Sequence, residues 1–467
     1  MTEVNSMETI TTTSKLLCVL LFTGILFQYA GRSSISVVLV ELQKPLGNNT
    51  LTNVSKSQYS QFQVGVILSS VYIGLLPSSF IGGYLAYRYS AIWVFLASIG
   101  INSIVHGGAA VMFDYFETAV TQRILAGMAV RLSEPAAYGV LNQYLSPEQS
   151  ARVSPFIFAA LYLGQFLGIF ATGFMAKRLV WQAPFYIFGG LGITWAAVSV
   201  GFAVADMAKK RDAKRDALDK NKGDIKKMKN IPVFRIFTST AVWASILLQV
   251  AAYFWDPNIL PLYFSQSFGT KIELVGVLAG IPILIYGALE PLFALVENIL
   301  CKHVSTTVAR KSMAVIGCLC VSGCLFVAAF TSNSVVAACF VAAAYGSHAA
   351  REPCCSSIVA NANIFDIAPR YASVISGISR GIFRVVGLTF PLLVTAITKN
   401  KTSQEWSRVV LINACALAAT ALFFGAFGSG EEQPWAVEVS QGQHGGIELS
   451  GRNAGKVDDE NRPLVKK

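Results

Sequence analysis

The sequence predicts an all-α polytopic membrane protein with twelve transmembrane helices in two six-helix halves, and three observations predict it. The 467 residues are 54% hydrophobic and only 13% charged, against about 25% charged residues in a soluble domain. The mean hydropathy is +0.53, so a cytosolic enzyme could not make its polar skin and most of the chain is excluded from disorder. The apolar residues fall in long runs, each near the ~20 residues a helix needs to cross a bilayer, and not in the alternating segments of a membrane β-barrel. A charged block at 206–236 divides these runs into two nearly equal sets, 16–205 and 237–428, flanked by an N-terminal 1–15 and a polar C-terminal 429–467.

The windows follow in order. The first, 16–41, is too long for the apolar core of a signal peptide, and Arg32 interrupts it before any clear cleavage site. The second, 62–87, ends in Gly82-Gly83-Tyr84-Leu85-Ala86-Tyr87-Arg88, where glycine allows close packing and Arg88 can cap the helix or pair with a neighbouring carboxylate. The third, 91–113, is apolar; the fourth, 117–143, carries Arg123, Arg131 and Glu134; the fifth and sixth are 152–176 and 182–205. The seventh, 237–265, contains Asp256-Pro257 and Pro261, and proline frees backbone carbonyls of the kind that line transport paths. The eighth, 272–300, holds Glu290 before Pro291 and Glu297 one heptad later. The ninth is 312–331, the tenth, 334–361, carries His348, Arg351 and Glu352 at i, i+3 and i+4, and the eleventh, 371–398, carries Ser376, Arg380 and Arg384 on one face. Asp366, Pro369 and Arg370 punctuate a turn before it, in which Arg370 can pair with Asp366. The twelfth is 407–428.

The net charge is +11, and residues 206–229 contribute +5 of it, with ten Lys/Arg against five Asp/Glu. A basic loop between hydrophobic blocks fixes orientation and stays cytoplasmic, so it is read as a topology signal and not as a nucleic-acid surface. Both termini then face the cytoplasm and the 43–61 loop faces away, with glycosylation sequons at Asn48 and Asn53. The nine cysteines form no CxxC pair and no metal-ligand pattern, so no metal and no cofactor is expected beyond H+ or Na+ as a coupling ion. In the tail, Glu460-Asn461-Arg462-Pro463-Leu464-Val465 has the form of an acidic dileucine signal, which gives a sorting adaptor as a partner.

Two equal halves joined by a charged loop are the layout of the major facilitator fold, whose substrate site lies near the midplane between halves that rock against each other. The segment Asp366-Ile367-Ala368-Pro369-Arg370-Tyr371-Ala372-Ser373, followed by Gly377-Ile378-Ser379, resembles the anion:cation symporter family, the group of sialin and the vesicular glutamate transporters. Tyr29-Ala30-Gly31-Arg32, Gly82–Arg88, Arg123–Gly127 ending at Pro135-Ala136, Val180–Gly189 and Ser429–Ala436 match in order, so the similarity covers about 16–436 and leans toward sialin. The resemblance ties Arg32 to anion binding and a fourth-helix Glu, seven residues after the first Arg, to proton coupling. That position is Val130 here, so Glu134 is the substitute considered. The family's glutamate transporters also have a second-helix His and a seventh-helix Arg, which are Leu68 and Gln249 here.

Ionisable groups at membrane depth cost at least ~2.5–3.5 kcal/mol each on insertion scales, and so are the default functional candidates. Arg32, with Tyr29 on its face, and Arg131 and Arg384 are expected to bind a carboxylate. Glu134, Asp256 and Glu290 are expected to couple transport to an ion, and Arg88, Glu297, Asp366 and Arg370 to latch conformations. His348, Arg351 and Glu352 are read either as a satisfied local cluster or as a proton relay. The expected protein is a monomeric secondary transporter of an organic anion such as a sialate, hexuronate or acidic amino acid, in a vesicle, endosomal, lysosomal or plasma membrane. An inorganic phosphate or urate-type carrier, an uncoupled anion channel and a transport-dead receptor are the alternatives.

Overall fold

The computed structural model describes residues 12–43, 59–213, 232–251, 256–355 and 362–436, and among them every regular element is helical. Six helices form the first half: α1 (Thr12–Leu42), α2 (Gln61–Arg88), α3 (Ala91–Met112), α4 (Phe116–Tyr144), α5 (Pro147–Arg178) and α6 (Ala183–Ala213). The second half holds short α7 (Val233–Thr238), then α8 (Thr240–Val250), α9 (Leu260–Phe268), α10 (Ile272–His303), α11 (Thr306–Phe330), α12 (Ser334–Cys355), short α13 (Ala362–Ile367), α14 (Ala372–Ile397) and α15 (Ser403–Phe427). The starts follow from capping chemistry: Ser60 with Gln63, Ser146 with Gln149 and Thr402 with Glu405 form reciprocal capping boxes.

Three expectations need correction here. Among the described residues the seventh window is not one helix: it holds α8, a 3-10 turn at Pro257–Ile259, and α9. Pro257 and Pro261 cannot donate to a continuing ladder, and Asp256 caps the new start by accepting from the Asn258 backbone N–H at 2.9 Å. Residues 206–213, read as the start of the basic loop, continue α6, and the segment read as a turn before the eleventh window forms α13. Asn48, Asn53 and the 460–465 motif lie outside the described residues.

Nine helices are long and apolar enough to cross a membrane among the described residues. Bulky apolar side chains face outward, including Val198 at 71%, Leu422 at 70% and Phe330 at 68% exposure, which suits lipid and not water. Besides the short α7 and α13, the segments outside those nine are α4, α12 and the broken α8–α9 pair. These are the ones that carry Arg123, Arg131, Glu134, Asp256, His348, Arg351 and Glu352, so the charges that spoil their apolar signal belong to the interior of the molecule.

Within the first half α1 packs on α5, and α2 and α3 pack on α4; within the second, α12 packs on α10 and α11, and α15 on α11. The halves meet along two main seams, α5–α10 and α2–α14. Glycine sets the closest approaches. A Cβ on Gly127 of α4 would lie 2.2 Å from the Val71 carbonyl oxygen of α2, and one on Gly173 of α5 would lie 2.9 Å from Gly276 Cα of α10.

One end of the bundle, opposite the central charged block, is bonded shut across the halves. Gln61 donates to Gln266 at 3.1 Å and to Thr398 at 2.8 Å, Gln266 donates to Gln43 at 2.8 Å, and Trp406 donates to Gln266 at 3.0 Å. Lys177 of α5 also pairs with Glu273 of α10 at this end.

Candidate functional site

Between the halves lies a cavity with about 1110 Å³ of empty space, its open mouth included, enough for a small organic molecule. Its charged lining is Arg32 from α1, Arg131 and Glu134 from α4, Asp256 from the broken segment, His348 and Glu352 from α12, and Arg384 from α14. Of the residues expected to bind substrate, Tyr29, Arg32, Arg131 and Arg384 all line this one cavity. So do Glu134 and Asp256 of the expected coupling set. Glu290 is absent from the lining; it sits one helical turn beyond Tyr286 on α10.

Each group is held by its neighbours. The Tyr29 hydroxyl donates to Glu134 Oε1 at 2.9 Å, and Arg131 pairs with the same oxygen. The Arg32 guanidinium lies over the Tyr29 ring, 5.7 Å from its centroid. A polar strut behind them fixes the spacing of α1, α3 and α4: Ser133 donates to Gln28 at 2.8 Å, and Ser98 donates to the Ala129 carbonyl at 2.7 Å. Arg384 is buried, at 5% exposure, and approaches from the opposite half. Asp256 accepts from the Tyr72 hydroxyl of α2 at 2.7 Å and from Asn258 Nδ2 at 2.8 Å. It therefore ties the broken helix to the first half while capping the 3-10 turn, so helix-end and cross-half roles fall on one carboxylate.

The expected latch residues separate. Glu297 is buried and pairs with Arg310 at 2.6 Å, and Arg310 pairs with Asp366 at 2.9 Å, which clasps α10, α11 and α13 at the end bearing the central block. The partner of Asp366 is thus Arg310 and not Arg370, which lies over the Tyr371 ring at 5.9 Å. Arg310, near the start of α11, reaches both acids from a single position, whereas sequence adjacency had favoured Arg370. Arg88 is exposed and makes no ion pair among the described residues.

Cavity residues that the sequence did not single out as binding groups lie on α12 and among the tyrosines. Glu352 and His348 face the cavity, and Tyr162 and Tyr286 line it with their rings 4.7 Å apart and perpendicular. The i, i+3, i+4 spacing of His348, Arg351 and Glu352 was the available signal. Arg123 is a further buried charge, at 1% exposure, with Nε and Nη1 lacking hydrogen-bond partners and with Arg32, Tyr72 and Asp256 in electrostatic range. Leu68 and Gln249 are both buried away from the lining, and Gln249 accepts from Ser379. Chemically, the cavity offers guanidinium groups from both halves to a negative group, and acids and an imidazole to a proton or cation.

Comparison with known proteins finds relatives both in sequence and in fold. Vesicular glutamate transporter 1 of Xenopus laevis is 28% identical over 439 residues, covering 88% of this chain and 74% of that protein. Vesicular glutamate transporter 2 of Homo sapiens is 28% identical over 437 residues, covering 88% and 73%. These relatives fall in the anion:cation symporter group that the sequence motifs resemble. In fold, the chain matches a D-xylose-proton symporter with a TM-score of 0.63 at 14% identity, over 90% of this chain and 98% of that one. It matches a bacterial homologue of the human lysosomal transporter Spinster, in an inward-facing and unoccupied conformation, with a TM-score of 0.66 at 11% identity, over 89% and 97%. The family model of the Major Facilitator Superfamily matches residues 21–391, and the chain belongs to that superfamily of membrane transporters.

Proposed function

We propose that this chain is a secondary active transporter of organic anions that works by alternating access. The observation that carries the reading is that Arg32 on α1 and Arg384 on α14, one from each half, line the same cavity. A substrate carboxylate held by Arg32 draws on a bidentate, charge-assisted interaction, and Arg384 adds positive field from the half that must move. Arg131 is already neutralised by Glu134, so it tunes the cavity more than it adds net charge. The absence of a central lysine and the spread of arginines favour a carboxylate over a cation, and the substrate class is a sialate, hexuronate or acidic amino acid.

With the far end bonded shut, the cavity's route out is toward the central block, a side that the positive-inside rule assigns to the cytoplasm. Closing there and opening the far end completes a cycle, driven by a proton, sodium or the membrane potential. A vesicle, endosomal or lysosomal membrane is the expected location, supported by the relatives' names and by the tail motif; the plasma membrane is the alternative.

Purified protein in liposomes, offered labelled sialate, glucuronate, glutamate, phosphate and urate under imposed pH, sodium and voltage gradients, tests this. Accumulation of a carboxylate against its gradient is expected. Preference for phosphate or urate transfers the reading to an inorganic or urate-type carrier, and flux that only equilibrates indicates a channel.

A further inference from the structure

The cavity between the halves is lined by three guanidinium groups, Arg32, Arg131 and Arg384, and by three carboxylates, Glu134, Asp256 and Glu352. A site for a simple anion is served by one sign of charge, whereas this lining holds as many acids as bases. Two of the acids have cationic partners of their own. Glu134 pairs with Arg131, and Glu352 has the Arg351 guanidinium at 3.9 Å. Asp256 does not. Its Oδ2 accepts from the Tyr72 hydroxyl at 2.7 Å, and its Oδ1 accepts from the Asn258 backbone N–H at 2.9 Å and from Asn258 Nδ2 at 2.8 Å. All three donors are neutral. The buried Arg123 lies within electrostatic range, but its Nε and Nη1 have no hydrogen-bond partner and no ion pair joins it to Asp256 among the described residues.

Buried charges are ordinarily paired, and a carboxylate offers about four acceptor sites. Three are taken at Asp256, which leaves one on Oδ2. We propose that Asp256 binds a cationic nitrogen of the substrate, so that the cargo is a carboxylate that also carries an ammonium group, as an amino acid or a betaine does, and not a simple acid such as a hexuronate. The inference rests on the anion-transport reading and narrows it: the carboxylate goes to Arg32, in the field of Arg384, and the ammonium goes to Asp256. Tyr72 and Tyr345 also line the cavity, and aromatic rings there favour a cation over a further anion. The acid is fixed in place before anything binds. It caps the 3-10 turn that follows the break in the seventh window, and Tyr72 of α2 holds it from the other half. An ammonium group at Oδ2 therefore binds beside a hydrogen bond that joins the two halves.

Matched pairs of ligands that differ in one amino group test this. The full-length protein in nanodiscs is titrated with glutamate and glutarate, 4-aminobutyrate and butyrate, and phenylalanine and 3-phenylpropionate, in potassium and in sodium buffer. Apparent Kd values from melting-temperature shifts give a ratio for each pair. The wild type is expected to bind the aminated member of at least one pair about tenfold tighter or more. Asp256→Asn is expected to bring that ratio close to one, and Arg32→Ala to weaken both members. If Asp256→Asn does not fold, Asp256→Ser, which also keeps a capping side chain, is read in the same way; the wild-type ratio needs neither variant. Wild-type ratios near one in every pair, or a ratio that survives at position 256 without the acid, overturn the proposal. Sodium that stabilises the wild type but not Asp256→Asn, with no preference for an amine, gives the carboxylate to an inorganic cation and overturns it equally. Equal binding of both members of the pairs refutes this inference alone, whereas binding of no carboxylate refutes the anion-transport reading and this inference with it.

Discussion

Tyr29 on α1 and Glu134 on α4 are joined by a 2.9 Å hydrogen bond, and the oxygen that accepts it also holds Arg131. A phenol, a carboxylate and a guanidinium thus form one unit on the cavity wall. Removing Glu134 leaves Arg131 uncompensated. Glu134→Ala is expected to cost ~1–3 kcal/mol of stability, and Arg131→Ala in addition is expected to return part of it. A thermal-unfolding double-mutant cycle in detergent measures this, and strictly additive losses would show that the three groups do not act together.

Arg32 is expected to bear directly on anion uptake. Arg32→Ala should abolish accumulation while the protein still reaches the membrane, because the side chain lines the cavity and stacks on Tyr29. Arg32→Lys keeps the charge but loses the planar fork, so KM is expected to rise about tenfold, equivalent to ~1.4 kcal/mol. Normal uptake by a well-expressed Arg32→Ala protein would remove Arg32 from the binding site.

Much of this was readable from the sequence for a physical reason. Charges at membrane depth are expensive, so Arg32, Arg131, Glu134, Asp256 and Arg384 stood out against apolar runs, and all five line one cavity. The two-half layout was legible from the basic block between equal hydrophobic sets. What failed was partnership. Asp366 has Arg370 as a near neighbour in sequence, yet it pairs with Arg310, 56 residues away. The break inside the seventh window was signalled by two prolines, but a hydrophobic window registers composition and not whether a ladder continues. Glutamine carries no charge, so the network of Gln43, Gln61 and Gln266, which holds the far end shut, left no mark in a reading built on ionisable residues.

That network gives a prediction about conformational balance. Gln61→Ala and Gln266→Ala each remove bonds that cross between the halves, and none of those bonds is needed to fold either half. Both variants are expected to populate the far-open state. Thr395, buried at 3% exposure on α14 against Gly65 of α2, is a suitable reporter. In a background with accessible native cysteines replaced, Thr395→Cys should react with an impermeant thiol reagent several-fold faster when Gln61 is Ala. Equal rates would mean that the glutamines do not hold the gate.

Glycine substitutions separate the contacts that make each half from the contacts that close the two halves together. Gly127 lies inside the first half, where an added Cβ would meet the Val71 carbonyl at 2.2 Å. The α2–α4 contact is permanent in any rocking motion, and Gly127→Leu forces it apart in every state. Overpacking of this kind costs ~1–3 kcal/mol or more, and the variant is expected to melt early and express poorly. Gly276 lies on the α5–α10 seam, where an added Cβ would meet the Ile169 carbonyl at 3.0 Å and Gly173 Cα at 3.1 Å. If the halves rock, that contact is expected to open together with the far end. Gly276→Leu should therefore leave a monodisperse protein with near-normal thermal stability, yet disfavour the state described here and lower uptake at least tenfold. Fluorescence-detected size exclusion, a melting curve and an uptake assay on both variants make the comparison. If Gly276→Leu unfolds as Gly127→Leu does, the α5–α10 seam is part of the permanent core and the halves do not rock about it.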